Sequence, residues 1–471
     1  MSFNYNKLWK ILIDKNMKKT DLMQAINISP NTLARLSKNE NVSMEIIDRI
    51  CSLFNCDVGD IVEHEDISYA SNRSLGTFLP NKNEQIHGWF GYLEGYSKKL
   101  VENELEKLNG VSSILDPFSG SGTTPLVGVM NGINSYFCES NPVMQFISET
   151  KVLTVKRIVR NPDKIKLFNF MVKKFLEAID GFTLEGVIVE PFDGFEKYFE
   201  EDNLKYIQFF KKYINNVQDP DIRALFRIAL AGVAVPTSKM IRRGDLRFAK
   251  RLEIQKTNKN FRIEIRAKLE NILSDLQQVD TTSMAEGHFL GNDARKIQSQ
   301  NLVDAIITSP PYLNGTNYIR NTKLELKLLD FIESEKDLAH LHSVGIIAGI
   351  NNVSRKKGKI KILPIVQPIL DKLYPVSYDK RIPLMIAGYF RDMNDVFNCL
   401  SKVLKNKGSL IMDIGDSQFA GVHVPTHDIL ISLANDNGFK LYSNEIIRSR
   451  RSKSGFELTQ RILRFQLGKD A

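Results

Sequence analysis

The chain has no apolar run near the roughly 18 residues that a membrane-spanning helix needs. Its opening, MSFNYNKLWK, is not followed by the apolar core of a secretory signal. Cysteine is scarce: Cys51, Cys56, Cys138 and Cys399 form no Cys-x-x-Cys pair and no Cys/His zinc spacing. That sets aside a disulfide scaffold and a metal-built fold, and no metal site is expected. Reduced thiols in a cytoplasmic protein are the simpler expectation. Internal repeats and low-complexity tracts are absent. Neither sign of charge dominates: 64 Lys and Arg against 55 Asp and Glu leave +9, an excess that suits a polyanionic partner without requiring one. Hydrophobic residues make up 42% and charged residues 25%, which is ordinary globular usage and excludes a disordered chain. At about 150 residues per domain, the length suggests roughly three domains.

Residues 1–66 read as a small all-helical unit. Leu8, Ile11 and Leu12 form an apolar stripe, Thr20, Ser29 and Ser43 are candidate N-caps, and Pro30 suits a first helical turn. Several short helices joined by tight turns predict a helix-turn-helix domain. The polar stretch 67–83 reads as a linker. Beyond it, strand candidates at Val111–Leu115, Ser135–Cys138, Asp304–Thr308 and Ser409–Met412 alternate with helical segments. This predicts an α/β fold with a parallel sheet covered on both faces. The expected divisions are a first core half at 84–150, a mainly helical insert at 151–285, a catalytic segment at 286–330, a second insert at 331–383 and the rest of the core at 384–471.

The first core strand runs into Asp116-Pro117-Phe118-Ser119-Gly120-Ser121-Gly122-Thr123-Thr124. Gly120 and Gly122 let backbone approach a ligand, and the helix behind them offers free N–H groups. Two common phosphate motifs fail. A dinucleotide fingerprint wants a third glycine where Pro125 stands, and a P-loop wants Gly-Lys where Gly122 precedes Thr123. What remains is a series of acids. Asp116 and Glu139 each follow a strand, and a carboxylate at Glu139 can accept both hydroxyls of a ribose. Asp293 could hold an adenine amino group. Ribose, adenine and an amino-acid tail together describe S-adenosyl-L-methionine.

The chain's only Pro-Pro lies in Ser309-Pro310-Pro311-Tyr312, after the strand ending at Thr308. Two prolines remove two donors and fix φ, leaving a rigid corner rich in acceptors. An exocyclic amino nitrogen is a poor nucleophile because its lone pair is delocalised into the ring. If Ser309 Oγ and the Pro310 carbonyl accept its hydrogens, the nitrogen can pyramidalise and attack a sulfonium methyl in line. Tyr312 offers a face on which an extruded base can stack.

Together the glycine loop and the Ser-Pro-Pro-Tyr corner resemble the amino-methylating DNA methyltransferases. The first residue of the corner resembles the cytosine-N4 branch, since adenine-N6 enzymes typically carry Asp or Asn there. No Pro-Cys dipeptide supports a cytosine-C5 mechanism. The segments Ile86–Phe90 and Glu94–Ser97, the stretch Ser309–Leu326 and the strand region Gly408–Ser417 also resemble this family. The resemblance implies a Rossmann-like S-adenosylmethionine-dependent methyltransferase sheet. Asp116, Phe118, Gly120, Gly122, Thr123, Glu139 and Asp293 would bind the cofactor. Ser309, Pro310, Pro311 and Tyr312 would be catalytic.

Residues 1–66 resemble the phage-repressor (Cro/C1) helix-turn-helix family, with Ser29–Leu36 as the recognition helix. Asn31, Thr32 and Arg35 would reach base edges. Elsewhere, Arg242 and Arg243, Lys356 and Lys357, and Arg450 sit in basic clusters that would neutralise phosphates. Either insert could read the target. The expected activity is site-specific cytosine-N4 methylation of double-stranded DNA in a restriction-modification system, with adenine-N6 methylation as the runner-up. The cognate endonuclease is expected as a genetic neighbour rather than a bound subunit, and the N-terminal domain as an operator binder or a protein-contact module. A transcriptional regulator with a non-catalytic methyltransferase fold is the competing class.

Overall fold

The computed structural model describes residues 3–15, 17–37, 39–64, 74–280, 283–313, 316–353, 360–452 and 455–468. It divides into two compact units, Met1–Ser74 and Leu75–Ala471.

Among the described residues, the smaller unit holds five helices: α1 (Asn6–Asp14), α2 (Lys19–Ala25), α3 (Pro30–Ser37), α4 (Met44–Phe54) and α5 (Val58–Ile61). Each gives apolar side chains to one core, among them Leu8, Leu12, Leu22, Leu36, Ile47, Ile50 and Ile61. Ser29 caps α3 as expected, its Oγ accepting the Thr32 N–H at 3.1 Å. Thr20 is not a cap. Asp21 accepts the Lys18 N–H at 2.8 Å, and Lys18 is the N-cap, so α2 starts two residues earlier. Ser43 stands at the N-cap of α4 without a side-chain capping bond. Strands β1 (Phe3–Asn4) and β2 (Glu63–His64), not foreseen from the sequence, pair antiparallel and join the two ends of the unit.

The larger unit is α/β, as expected. Its seven-stranded sheet contains β3 (Ser113–Asp116), β4 (Asn134–Cys138), β7 (Gly287–Gly291), β8 (Val303–Thr308), β9 (Leu404–Gly415), β12 (Phe439–Arg451) and β13 (Glu457–Leu467). Its order is β12-β13-β9-β8-β3-β4-β7. The pairs β7–β4, β4–β3, β3–β8 and β8–β9 are parallel; β13 is antiparallel to both neighbours. After β3 the chain builds outward through β4 and β7, then returns to β8 on the other side of β3. That reversal opens a crevice at the carboxyl ends of β3 and β8, the place where open α/β sheets bind ligands.

Between residues 151 and 285 the described chain is mainly helical. The helices Pro162–Asp180, Glu201–Asn215, Pro220–Val233 and Phe261–Gln278 pack around Phe168, Phe175, Phe210, Phe226 and Phe261. It also carries a hairpin, β5 (Met240–Arg243) and β6 (Asp245–Phe248). A second small hairpin, β10 (Ser417–Phe419) and β11 (Val422–Val424), follows β9. The linker expected at 67–83 is too long. Leu75 and Phe78 are buried, and Asn81 is fully buried, donating to the Tyr96 carbonyl at 3.0 Å and accepting the Lys98 N–H at 2.7 Å. Asn81 thus caps backbone rather than facing water. Among the described residues, no helix is long and apolar enough to cross a membrane.

One buried ion pair ties the helix Lys98–Lys107 to β13. Arg464 grips Glu104 with two bonds of 2.7 Å, and both side chains are almost wholly buried. Breaking a buried pair strands the remaining charge. Glu104→Ala would leave Arg464 only the part-exposed Glu445 at 2.9 Å and is expected to cost up to about 3–5 kcal/mol, measured as earlier chemical unfolding of the larger unit. An unchanged unfolding curve would contradict it.

Candidate active site

The glycine loop leaves β3 at Asp116 and enters the helix Thr123–Met130. Gly120 and Gly122 have φ of +52° and +84°, the left-handed region where L-side chains are strained. Space is also tight. A Cβ on Gly120 would lie 2.9 Å from the Tyr92 ring, and one on Gly122 would lie 3.1 Å from the Ser148 backbone.

Asp116 is buried and engaged. It accepts the Phe118 N–H at 3.0 Å, the Thr308 hydroxyl at 2.6 Å and the Tyr96 hydroxyl at 3.1 Å. Burial pushes its carboxyl up to about 6, against the pull of these donors. These three bonds hold the loop to the end of β8 and to Tyr96. Glu139 follows β4 at the floor of the crevice. Its carboxylate takes the N–H groups of Gly120 and Asn141, each at 2.8 Å, with part of its surface exposed. Burial raises its carboxyl to about 7, partly offset by those two N–H groups. Asp293 forks with Arg295 at 2.8 and 3.0 Å. Burial opposes ionisation there, but the Arg295 guanidinium prevails and holds the carboxyl below its ordinary range.

These elements enclose one cavity of about 440 Å³, inside the range of about 300–1,000 Å³ usual for small-molecule sites. It is lined by Asp116, Phe118, Gly120, Thr123, Glu139 and Asp293 and equally by Ser309, Pro310, Pro311 and Tyr312. The glycine loop and the Pro-Pro corner, some 190 residues apart in sequence, therefore share one space. Gly122 stands just behind as the N-cap of the following helix.

The cavity also contains side chains that sequence reasoning did not single out. Ser119 Oγ, Ser121 Oγ and Glu94 Oε2 are buried and have no hydrogen-bond partner among the described residues. Burial, the first influence, raises the Glu94 carboxyl despite nearby Arg242. The two serines lie inside the glycine motif and Glu94 inside the Glu94–Ser97 segment, so residue type and motif were the available signals. Gln460 on β13 has no local signal.

The expected DNA contacts divide. Arg242 is a correction: it is largely but not fully buried, paired with Glu325 at 2.6 Å and donating to the Asn321 carbonyl at 2.7 Å. Its guanidinium is spent on bracing the segment after the corner. Arg243 is exposed and lies 3.6 Å from Glu253. Arg450, with Arg448, lines the cavity. Lys356 and Lys357 lie outside the described residues. On α3, Asn31 and Arg35 are exposed, while Thr32 bonds Ser29.

Residues 7–66 match the Cro/C1-type HTH DNA-binding domain family. The type II methyltransferase M.BsoBI of Geobacillus stearothermophilus is 25% identical over 452 residues, covering 82% of this chain and 85% of that one. The type II methyltransferase M.AvaI of Nostoc sp. is 25% identical over 447 residues, covering 84% and 86%. Among solved structures, the crystal structure of transcriptional regulator VanUg is 53% identical, covers 13% of this chain and 83% of that one, and has a TM-score of 0.13. The chain thus carries an N-terminal Cro/C1-type helix-turn-helix domain and is, over most of its length, a homologue of type II methyltransferases.

Proposed function

We propose that this protein transfers a methyl group from S-adenosyl-L-methionine to the exocyclic N4 of cytosine in duplex DNA, as the modification half of a restriction-modification system. The observation that carries the reading is the single cavity shared by the glycine loop and the Ser309–Tyr312 corner. Type II methyltransferases as relatives and a helix-turn-helix domain support DNA as the substrate class.

The residues present fit this cofactor. The unpartnered Ser119 and Ser121 hydroxyls suit a carboxylate, and the unpartnered Glu94 oxygen suits an ammonium, the two charged groups of an amino-acid tail. Ionised Glu139 suits a ribose diol. When bound, the cofactor supplies an electrophilic methyl on sulfur. The chain supplies geometry. Ser309 Oγ and the Pro310 carbonyl accept the hydrogens of the target amino group and localise its lone pair, and Tyr312 stacks the base. The serine that opens the corner supports cytosine over adenine.

Three outcomes test this. Nucleoside mass analysis of DNA treated with protein and labelled cofactor should find N4-methylcytosine. N6-methyladenine would overturn the choice of base, and no transferred label would overturn the activity. Glu139→Gln should weaken cofactor binding by about 10- to 100-fold, the worth of a hydrogen bond to a charged group. Wild-type affinity should rise with pH through about 7 as Glu139 ionises, a dependence the glutamine variant should lose on calorimetry. On DNA upstream of its own gene, the full chain should give a specific gel shift that Asn31→Ala/Arg35→Ala abolishes. An unchanged shift would remove α3 as an operator reader.

A further inference from the structure

Tyr312 is held from three sides. Its backbone N–H donates to the Tyr318 hydroxyl at 3.0 Å. Its ring lies on β9 at Gly415, where a Cβ would come within 3.2 and 3.3 Å of two ring carbons. Its hydroxyl lies 3.0 Å from Nε2 of Gln460, which also reaches both oxygens of Asp413 at 3.0 Å and the Gly76 carbonyl at 3.3 Å. The strand register brings these groups together. Gln460 of β13 pairs with Gly415 of β9, and Asp413 lies two residues back along β9, on the same face.

We propose that Asp413 and Gln460 are positioning residues that hold the Tyr312 hydroxyl, fix the ring against Gly415 and so set the plane on which the target base stacks. This rests on the reading of the corner as the base site.

The hydrogen-bond inventory makes the arrangement sensitive to the state of Asp413. The Gln460 amide has two N–H donors and four acceptor atoms within reach. An ionised Asp413 is the strongest of these acceptors. It takes one N–H and orients the amide, so that the other is available to the Tyr312 hydroxyl. A protonated Asp413 brings a donor of its own into the cluster. Its O–H competes with the Gln460 N–H for the Tyr312 oxygen and the Gly76 carbonyl, and the amide loses the charged acceptor that orients it. Burial pushes the Asp413 carboxyl up to about 7, with the Gln460 and Tyr312 hydrogen bonds acting against it. The titratable groups facing it are the phenols of Tyr312 and Tyr96. Asp413 forms no ion pair among the described residues. The ordered form is the ionised one, so the cradle is set above neutral pH and loosens below it.

The test is made on the full chain with 3-fluorotyrosine at its 14 tyrosines, Tyr312 being assigned by the resonance lost in Tyr312→Phe. Its fluorine resonance should move with pH around a midpoint near 7, and Asp413→Asn should abolish the movement. Gln460→Leu, which leaves the carboxylate in place, should also uncouple the resonance from that midpoint. In methyl transfer, both variants should lower kcat by about 10- to 100-fold, with cofactor affinity unchanged. The acid limb of the wild-type kcat profile should be absent in Asp413→Asn. A Tyr312 resonance that ignores pH in the wild-type chain, or still titrates in Asp413→Asn, would overturn the proposal. So would variants with wild-type kcat, or with equal losses in kcat and cofactor affinity. If the wild-type chain transfers no methyl group, the base-site reading fails by itself, and the fluorine titration still decides whether Asp413 governs Tyr312.

Discussion

One buried carboxylate links the parts of the cavity. Asp116 ends β3, caps the first turn of the glycine loop at Phe118, holds Thr308 at the end of β8 and meets Tyr96 from the segment before β3. The strand bearing the loop and the strand bearing the Pro-Pro corner are therefore joined where both leave the sheet. The parallel pairing of β3 and β8 makes this possible, because both strands then end at the same edge. A slip of one residue in either strand would turn Asp116 or Thr308 to the opposite face and separate the loop from the corner. Burial without such donors would favour the neutral acid. The three bonds are thus both the reason Asp116 can ionise and the reason the crevice has a fixed shape.

The same constraint explains what the sequence made legible. The glycine loop and Ser309–Tyr312 are short motifs whose geometry is set by their own residues: two glycines at positive φ, two prolines with fixed φ. Such chemistry survives in any register, so it can be read locally. β3, β4, β8 and β9 were legible because strands buried in a parallel sheet are short apolar runs. β7 was not, because Gly287-His288-Phe289-Leu290-Gly291 is a partly exposed edge strand without apolar alternation. The long reading of the linker failed for a related reason: Asn81 looks like a loop residue in sequence but caps two backbone groups in the fold.

The roles of the acids were less legible than their positions. Asp116, Glu139 and Asp293 all line the cavity, as their order along the chain suggested. Which of them retains a free face depends on donors from elsewhere: Thr308 and Tyr96 engage Asp116, and Arg295 engages Asp293. Glu139 takes only backbone N–H groups and keeps part of its surface open. Gln460 could not have been found this way. It reaches Tyr312 only because β13 folds back antiparallel beside β9, a pairing that no local pattern at Gln460 announces.

The basic clusters follow the same logic, and it bears on the proposed DNA interface. Between Lys239 and Lys256 the sequence carries a strong positive excess, but several of those charges are matched within the fold. Arg242 pairs with Glu325, Arg247 with Glu253 and Lys239 with Glu200. Lys250, Arg251 and Lys256 form no ion pair among the described residues, so their charge is not matched within the fold. The hairpin that precedes them is anchored at the cavity. Asn321 receives the Leu246 N–H and donates to the Gly244 carbonyl, and Gly244 lines the mouth. On β12, Arg448 and Arg450 line the same cavity. Net charge measures this poorly: an Arg242 paired with Glu325 and an exposed Arg450 count equally toward +9, yet the first is already matched inside the fold.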